Sequence, residues 1–186
     1  MASIKNKISY NSPVILSFVI ICAVIYLLDV ITNTAVSNFL ALRKALSFQL
    51  VTYIFAHSGL EHLTGNMTLL LLVGPVAEEK YGSKNLLLMI FSTSIISGIL
   101  NCLLFHTGIL GASGIVFLMI ILSAFTNFEK GKIPLTLILV VIFYLGNEIV
   151  NGLFASDNVS QFGHIAGGIM GLFWGFFYIY SGAKKK

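Results

Sequence analysis

Charge is what this sequence has least of. Asp, Glu, Lys and Arg make up 10% of its 186 residues, whereas an ordinary soluble domain carries about 25%. On a chain this short, too few polar groups remain to clothe a water-facing exterior, which argues against a soluble globule. The seven acidic residues supply no paired-carboxylate motif, and no HExxH pattern is present, so a metal site is not expected. The two cysteines, Cys22 and Cys102, lie inside apolar runs and make neither a disulfide framework nor a metal motif, so they read as packing residues. The long apolar runs lack the alternation of barrel strands. No small-residue cleavage site follows the first of them, so that run is expected to be a retained span rather than a cleaved signal peptide.

What the sequence has instead is apolar surface: 57% hydrophobic residues and a mean hydropathy of +0.94. Hydropathy separates six runs, at residues 13–28, 63–77, 86–105, 113–125, 133–149 and 161–180. Backbone groups in lipid must be satisfied within the segment, which leaves helices for runs of this kind. The expected fold class is therefore an all-α polytopic membrane protein, one membrane domain over residues 1–186 built as a six-transmembrane-helix bundle. The fourth run meets Asn127, Glu129 and Lys130 after about a dozen apolar residues, short of the roughly 20 that cross a bilayer. This short fourth helix is expected to start inside the membrane. The stretch before it, HTGILGASG, has three glycines in nine residues, and irregular backbone at that depth is tolerated only beside protein or a water-filled cavity.

The net charge of +4 and pI near 9.1 come from lysines at span ends, where they signal topology rather than an anionic partner. The lipid bilayer is the expected partner and nucleic acid is not. Lys5, Lys7, Lys80, Lys84, Lys130, Lys132, Lys184, Lys185 and Lys186 all fall on one face of a six-span arrangement, and only Arg43 and Lys44 fall on the other. The positive-inside rule then puts both termini in the cytoplasm of a cell (inner) membrane protein, with loops 32–59, 106–112 and 151–160 on the outer face.

Four polar residues in or beside the apolar runs carry the chemistry on offer: His62, Asn66, Ser113 and His164. Ionisable and polar groups in membrane segments face the bundle interior and are functional candidates by default. Ser113 stands between small residues in Gly111-Ala112-Ser113-Gly114 at a helix start, where a carbonyl can approach closely and the helix N-terminus favours an oxyanion. The same pattern also serves plain helix–helix contact. His164 is followed by Gly167, Gly168, Gly171 and Gly175, a small-residue stripe that lets its helix lie tightly on a neighbour. If that neighbour carries Ser113, the imidazole can take the serine proton and make a nucleophile; otherwise it hydrogen-bonds a carbonyl or interfacial water. His62 and Asn66 are one helical turn apart and share a face. Aimed at one point with the Ser113 amide they would make an oxyanion hole, and aimed elsewhere they are interhelical glue. The histidines His57, His62, His106 and His164 all belong to the outer half. Glu78, Glu79 and Glu129 are on the cytoplasmic side, and Asp29, Glu148 and Asp157 lie near the outer ends of different segments. No carboxylate is therefore legible behind His164, and a Ser–His dyad is the economical arrangement.

Taken together, three stretches resemble the rhomboid family of intramembrane serine proteases: His57-Ser-Gly-Leu-Glu-His62-Leu-Thr-Gly-Asn66-Met67, Gly111-Ala-Ser113-Gly114, and Gly163-His164-Ile-Ala-Gly167 with Gly171. They occur in the family's order on the second, fourth and sixth spans, and the similarity extends from about Phe48 to Tyr180, including Gly74, Glu78, Tyr81 and Gly82. The resemblance implies Ser113 as nucleophile and His164 as general base, with His62, Asn66 and the Ser113 amide as oxyanion hole. It further implies that Phe117 is the aromatic side chain against which the histidine packs. It implies no cofactor, and a reaction that hydrolyses peptide bonds in transmembrane protein substrates near the outer boundary, with the fifth span and loop 151–160 as gate and cap. The chain departs from the family where a Trp-Arg pair usually precedes the first histidine: Phe48-Gln49-Leu50-Val51-Thr52-Tyr53 stands there, and the one tryptophan is Trp174. The alternative is a non-catalytic relative that binds transmembrane helices, although such relatives characteristically lack the serine or the histidine, and both are present. A transporter would need ionisable groups through the cytoplasmic halves of the spans, which offer none.

Overall fold

The computed structural model describes residues 9–45, 47–105, 108–126, 128–129, 132–154 and 159–182, the side chains of 151–160 excepted. Lys5, Lys7, His106, Asn127, Lys130, Asp157, Lys184, Lys185 and Lys186 lie outside the described residues, as does the centre of loop 151–160. The regular elements of the described chain are all helical, and its only ladder-type pairings are two isolated bridges, Leu42 with Ile109 and Glu129 with Lys132.

Helix α1 (Pro13–Ile31) opens with proline at its first position, where the missing N–H would have had no partner anyway. Its next two amides, of Val14 and Ile15, donate to the two oxygens of Glu78 at 3.0 and 3.1 Å. Glu78 comes from the far end of α4 (Leu60–Tyr81), and Gly74, a turn earlier, has no side chain to hold Ile15 off. A buried carboxylate on the first turn of a helix satisfies orphan donors and opposes the positive end of the macrodipole. Helix α5 (Ser83–Leu104) follows after the single Gly82, whose φ of 78° reverses the chain.

Between α1 and α4 the expected loop 32–59 is in fact largely structured. It contains α2 (Ala35–Leu40), α3 (Gln49–Thr52) and a 3-10 turn at Tyr53–Phe55. Contacts with α5 seat this loop. Ser94 of α5 donates to the Leu50 carbonyl at 2.6 Å, and the Tyr53 hydroxyl returns a bond to the Ser94 carbonyl at 3.2 Å. Gly98 makes room for Leu42 and Leu50.

Helix α6 (Ser113–Ala124) is short and central. Eight consecutive residues, Ile115 through Leu122, are buried, because α4, α5, α7 (Leu135–Val140) and α9 (Val159–Tyr180) pack around it. A helix buried on every side must be apolar all round, and this one is. Its terminal carbonyls are met by the end of α4: Tyr81 donates to Leu122 at 3.2 Å and the Lys80 ammonium to Phe125. From Leu135 the chain stays helical through a π-helical stretch, Val141–Gly146, into α8 (Asn147–Phe154).

The outward surface is apolar. Leu27, Ile31, Leu72, Leu103, Leu135 and Phe143 are each at least 60% exposed, far more apolar exterior than a water-soluble monomer shows. Among the described residues, three helices are long and apolar enough to cross a bilayer: α1, α5 and residues 161–180 of α9.

Candidate active site

Ser113 is the first residue of α6, so its amide has no partner within the helix and points with the positive end of the helix dipole. The strand-like connection before it is pinned to the first loop. Ile109 exchanges backbone bonds with Leu42 at 2.9 and 3.0 Å, and the Gly111 amide donates to the Tyr53 carbonyl at 3.0 Å. Gly111 sits at φ 121°, a conformation that side chains resist, and a Cβ there would come within 2.7 Å of the His62 imidazole. Glycine at 111 is thus what lets His62 reach the mouth of α6.

His62 lies in the first turn of α4, with Nδ1 at 3.0 Å from the Ser58 hydroxyl. One turn on, Asn66 is buried and its side-chain N–H2 has no hydrogen-bond partner. His62, Gly111, Ser113 and Gly114 line one cavity of about 410 Å³, with Tyr53 and with Thr93 and Ser97 of α5. The hydroxyls of Thr93 and Ser97 are buried without partners. Neither is among the four polar residues that stand out in the sequence; their spacing of four inside an apolar run is the signal that marks one polar face.

Helix α9 brings His164 to this point because glycine lets two backbones touch. A Cβ at Gly167 would overlap the Gly114 carbonyl, one at Gly171 would meet Ile121 and the Leu118 carbonyl, and one at Gly175 would meet the Phe125 ring. The fourth glycine of the stripe, Gly168, faces elsewhere, against Leu145 of the π-helical stretch. The His164 ring stacks on Phe117, centroids 4.5 Å apart and planes 7° from parallel. Phe117 is one turn into α6 from Ser113, and Tyr144 packs edge-on against it at 6.0 Å.

Two features of the histidine cluster were not legible in the sequence. His57, in the turn before α4, is buried with its ring 5.1 Å from His62. Burial, and then the neighbouring His62, push its pKa down to about 4, against a weaker upward pull from the Phe55 carbonyl. The second feature concerns His164. A carboxylate does stand behind His164: Glu148 of α8 places Oε2 at 3.0 Å from Nδ1. The two atoms are close, but they do not make an aligned hydrogen bond, since Nδ1 has no hydrogen-bond partner. Sequence spacing missed it because the two residues sit on different helices. An ionisable side chain in the fifth apolar run was the available signal. Among the described residues, no group of three or more His, Cys, Asp or Glu side chains is placed to hold a metal ion.

An all-helical bundle with an apolar exterior defines a multi-pass membrane protein, here with a cavity at the N-terminus of a buried central helix that several polar side chains line. The Rhomboid domain family matches residues 44–181, and the chain belongs to that family. It is 28% identical over 153 residues to rhomboid-related protein 1 of Caenorhabditis elegans, covering 75% of this chain and 42% of that protein. It is 33% identical over 132 residues to rhomboid protease GluP of Bacillus subtilis (strain 168), covering 68% of this chain and 25% of that one. The chain therefore spans less than half the length of these relatives.

Proposed function

We propose that the protein is an intramembrane serine endopeptidase that hydrolyses peptide bonds in or near the transmembrane segments of membrane-protein substrates. The observation that carries this reading is the convergence of Ser113 and His62 on one cavity, with His164 stacked on the helix that Ser113 opens. Ser113 Oγ attacks the scissile carbonyl while His164 Nε2 takes its proton. The tetrahedral oxyanion receives hydrogen bonds from the Ser113 amide, His62 and Asn66. It collapses as His164 returns the proton to the leaving amine, and water then hydrolyses the acyl-enzyme by the same proton route. The unpartnered Asn66 amide favours this reading, because a buried donor without a partner costs about 1–3 kcal/mol and a catalytic role is a reason to keep it despite that cost. Phe117 holds the imidazole plane, and Gly111, Gly114, Gly167 and Gly171 supply the close approach that brings the groups together.

The same reading covers the whole chain as a single membrane domain of six spans in a cell (inner) membrane. The short α6 begins inside the bilayer, both termini are cytoplasmic and the cavity opens toward the outer face. The family match and the apolar helices support it. Purified protein in mild detergent or liposomes tests the activity, with a fluorophosphonate probe and a labelled single-span substrate. Wild type is expected to label and cleave, and Ser113→Ala and His164→Ala to do neither. A well-folded wild type that neither labels nor cleaves overturns the protease in favour of a transmembrane-helix binder.

A further inference from the structure

The mechanism above uses no carboxylate, yet Glu148 stands 3.0 Å from His164 Nδ1. We infer that Glu148 is a positioning residue for His164: its carboxylate at the Nδ1 edge favours the Nδ1–H form, accepts a hydrogen bond from it once the two align, and leaves Nε2 free for Ser113. The inference rests on the reading of Ser113 and His164 as nucleophile and base.

Four observations carry it. The two side chains are mostly withdrawn from solvent, at 18% exposure for His164 and 15% for Glu148. A carboxylate in an apolar helix of a membrane bundle is costly and is kept where it meets a partner. The π-helical stretch Val141–Gly146 ends two residues before Glu148, and such insertions concentrate at functional sites. Finally, the Phe117 stack fixes the imidazole plane, so a contact at the Nδ1 edge decides which nitrogen faces away from it.

The chemistry follows from the two nitrogens of a neutral histidine. One carries the proton and the other accepts, and a carboxylate beside Nδ1 selects the Nδ1–H form. Nε2 then holds the lone pair that takes the Ser113 proton. The imidazolium so formed sits beside an anion in a low-dielectric site until it gives that proton to the leaving amine. The proton moves only among Ser113, His164 and the leaving amine, and Glu148 takes none of it. The contact is unaligned at rest, as hydrogen bonds of this kind often are before substrate binds.

The test reads tautomer and turnover separately. In full-length protein labelled with 15N-histidine at pH 8, the His164 signal, assigned by its loss in His164→Gln, is expected to show the Nδ1–H form. In Glu148→Gln that preference is expected to weaken, because an amide can also donate to Nδ1. With the labelled single-span substrate, Glu148→Gln is expected to lower kcat by at least about 10-fold with KM within about twofold. Exchanging a fully buried triad carboxylate for its amide costs about 10⁴-fold, and the residual exposure here places the effect below that. Glu148→Asp should recover part of the loss. An Nε2–H form in wild type overturns the inference without any variant having to fold. An active wild type whose Glu148→Gln cleaves at the same rate overturns Glu148 alone. A wild type that neither labels with fluorophosphonate nor cleaves overturns the protease reading and Glu148 with it.

Discussion

Asn66, one turn beyond His62, and His57, whose ring lies against His62, are both buried and both lack a hydrogen-bond partner on one side-chain nitrogen. Each leaves a different signature. Removing the Asn66 amide relieves an unsatisfied donor, so Asn66→Ala is expected to keep or raise thermal stability while turnover falls about 10²–10³-fold, the usual cost of one oxyanion donor. Unchanged turnover in a steady-state assay would take Asn66 out of the oxyanion hole. His57 lies outside the spanning helices, and its pKa of about 4 stands below the ordinary 6.5. Between those two values the unfolded chain binds a proton that the folded protein refuses. Stability is therefore full above about 6.5 and is lost as pH falls toward about 4. The melting temperature should drop across that window, and His57→Gln should flatten the drop.

The glycines of α9 act as elements do, by setting how close one helix lies to another. Their stripe was legible from spacing alone, but not its division of labour. Gly167, Gly171 and Gly175 face α6, whereas Gly168 faces the side chain of Leu145. A methyl at 167 meets a backbone carbonyl that cannot move without moving α6, while a methyl at 168 meets the tip of a leucine that can rotate. Gly167→Ala is therefore expected to cost at least about 1–3 kcal/mol, the range for overpacking a tight contact. Gly168→Ala should cost less, measured by thermal or denaturant unfolding in one detergent. The activity of Gly167→Ala should fall with the separation of His164 from Ser113. The fifth run was expected at 133–149, yet the helix begins at Leu135 and runs on to Phe154 through a π-helical stretch. Hydropathy marks how long a segment stays apolar. It carries nothing about where one residue is inserted into a turn.

At the scale of the molecule, one carboxylate ties the first helix to the rest. Glu78 accepts two amides of α1 and, at 2.7 Å, the hydroxyl of Ser83 where α5 begins. Three helix ends thus meet on a single buried side chain. Hydrogen bonds to a charged group contribute about 1.5–3 kcal/mol each, so Glu78→Ala should lower unfolding stability by at least about 2 kcal/mol. Glu78→Gln, which keeps one acceptor oxygen, should lose less. A loss confined to α1 would register as faster proteolysis near residue 13 with the α6 and α9 pairing intact.

Composition and local patterning were enough to mark the protein as helical and apolar on the outside, and to name the residue types that could make a nucleophile, a base and an oxyanion hole. Those properties follow from composition and from spacing within one helix, where three or four residues make a turn. The placement of His62 against Gly111, the stacking of His164 on Phe117 and the arrival of Glu148 at Nδ1 were decided only by tertiary structure. Each joins residues from different helices, and the distance between them depends on glycine contacts, a positive φ and a π-helical turn that no local pattern records.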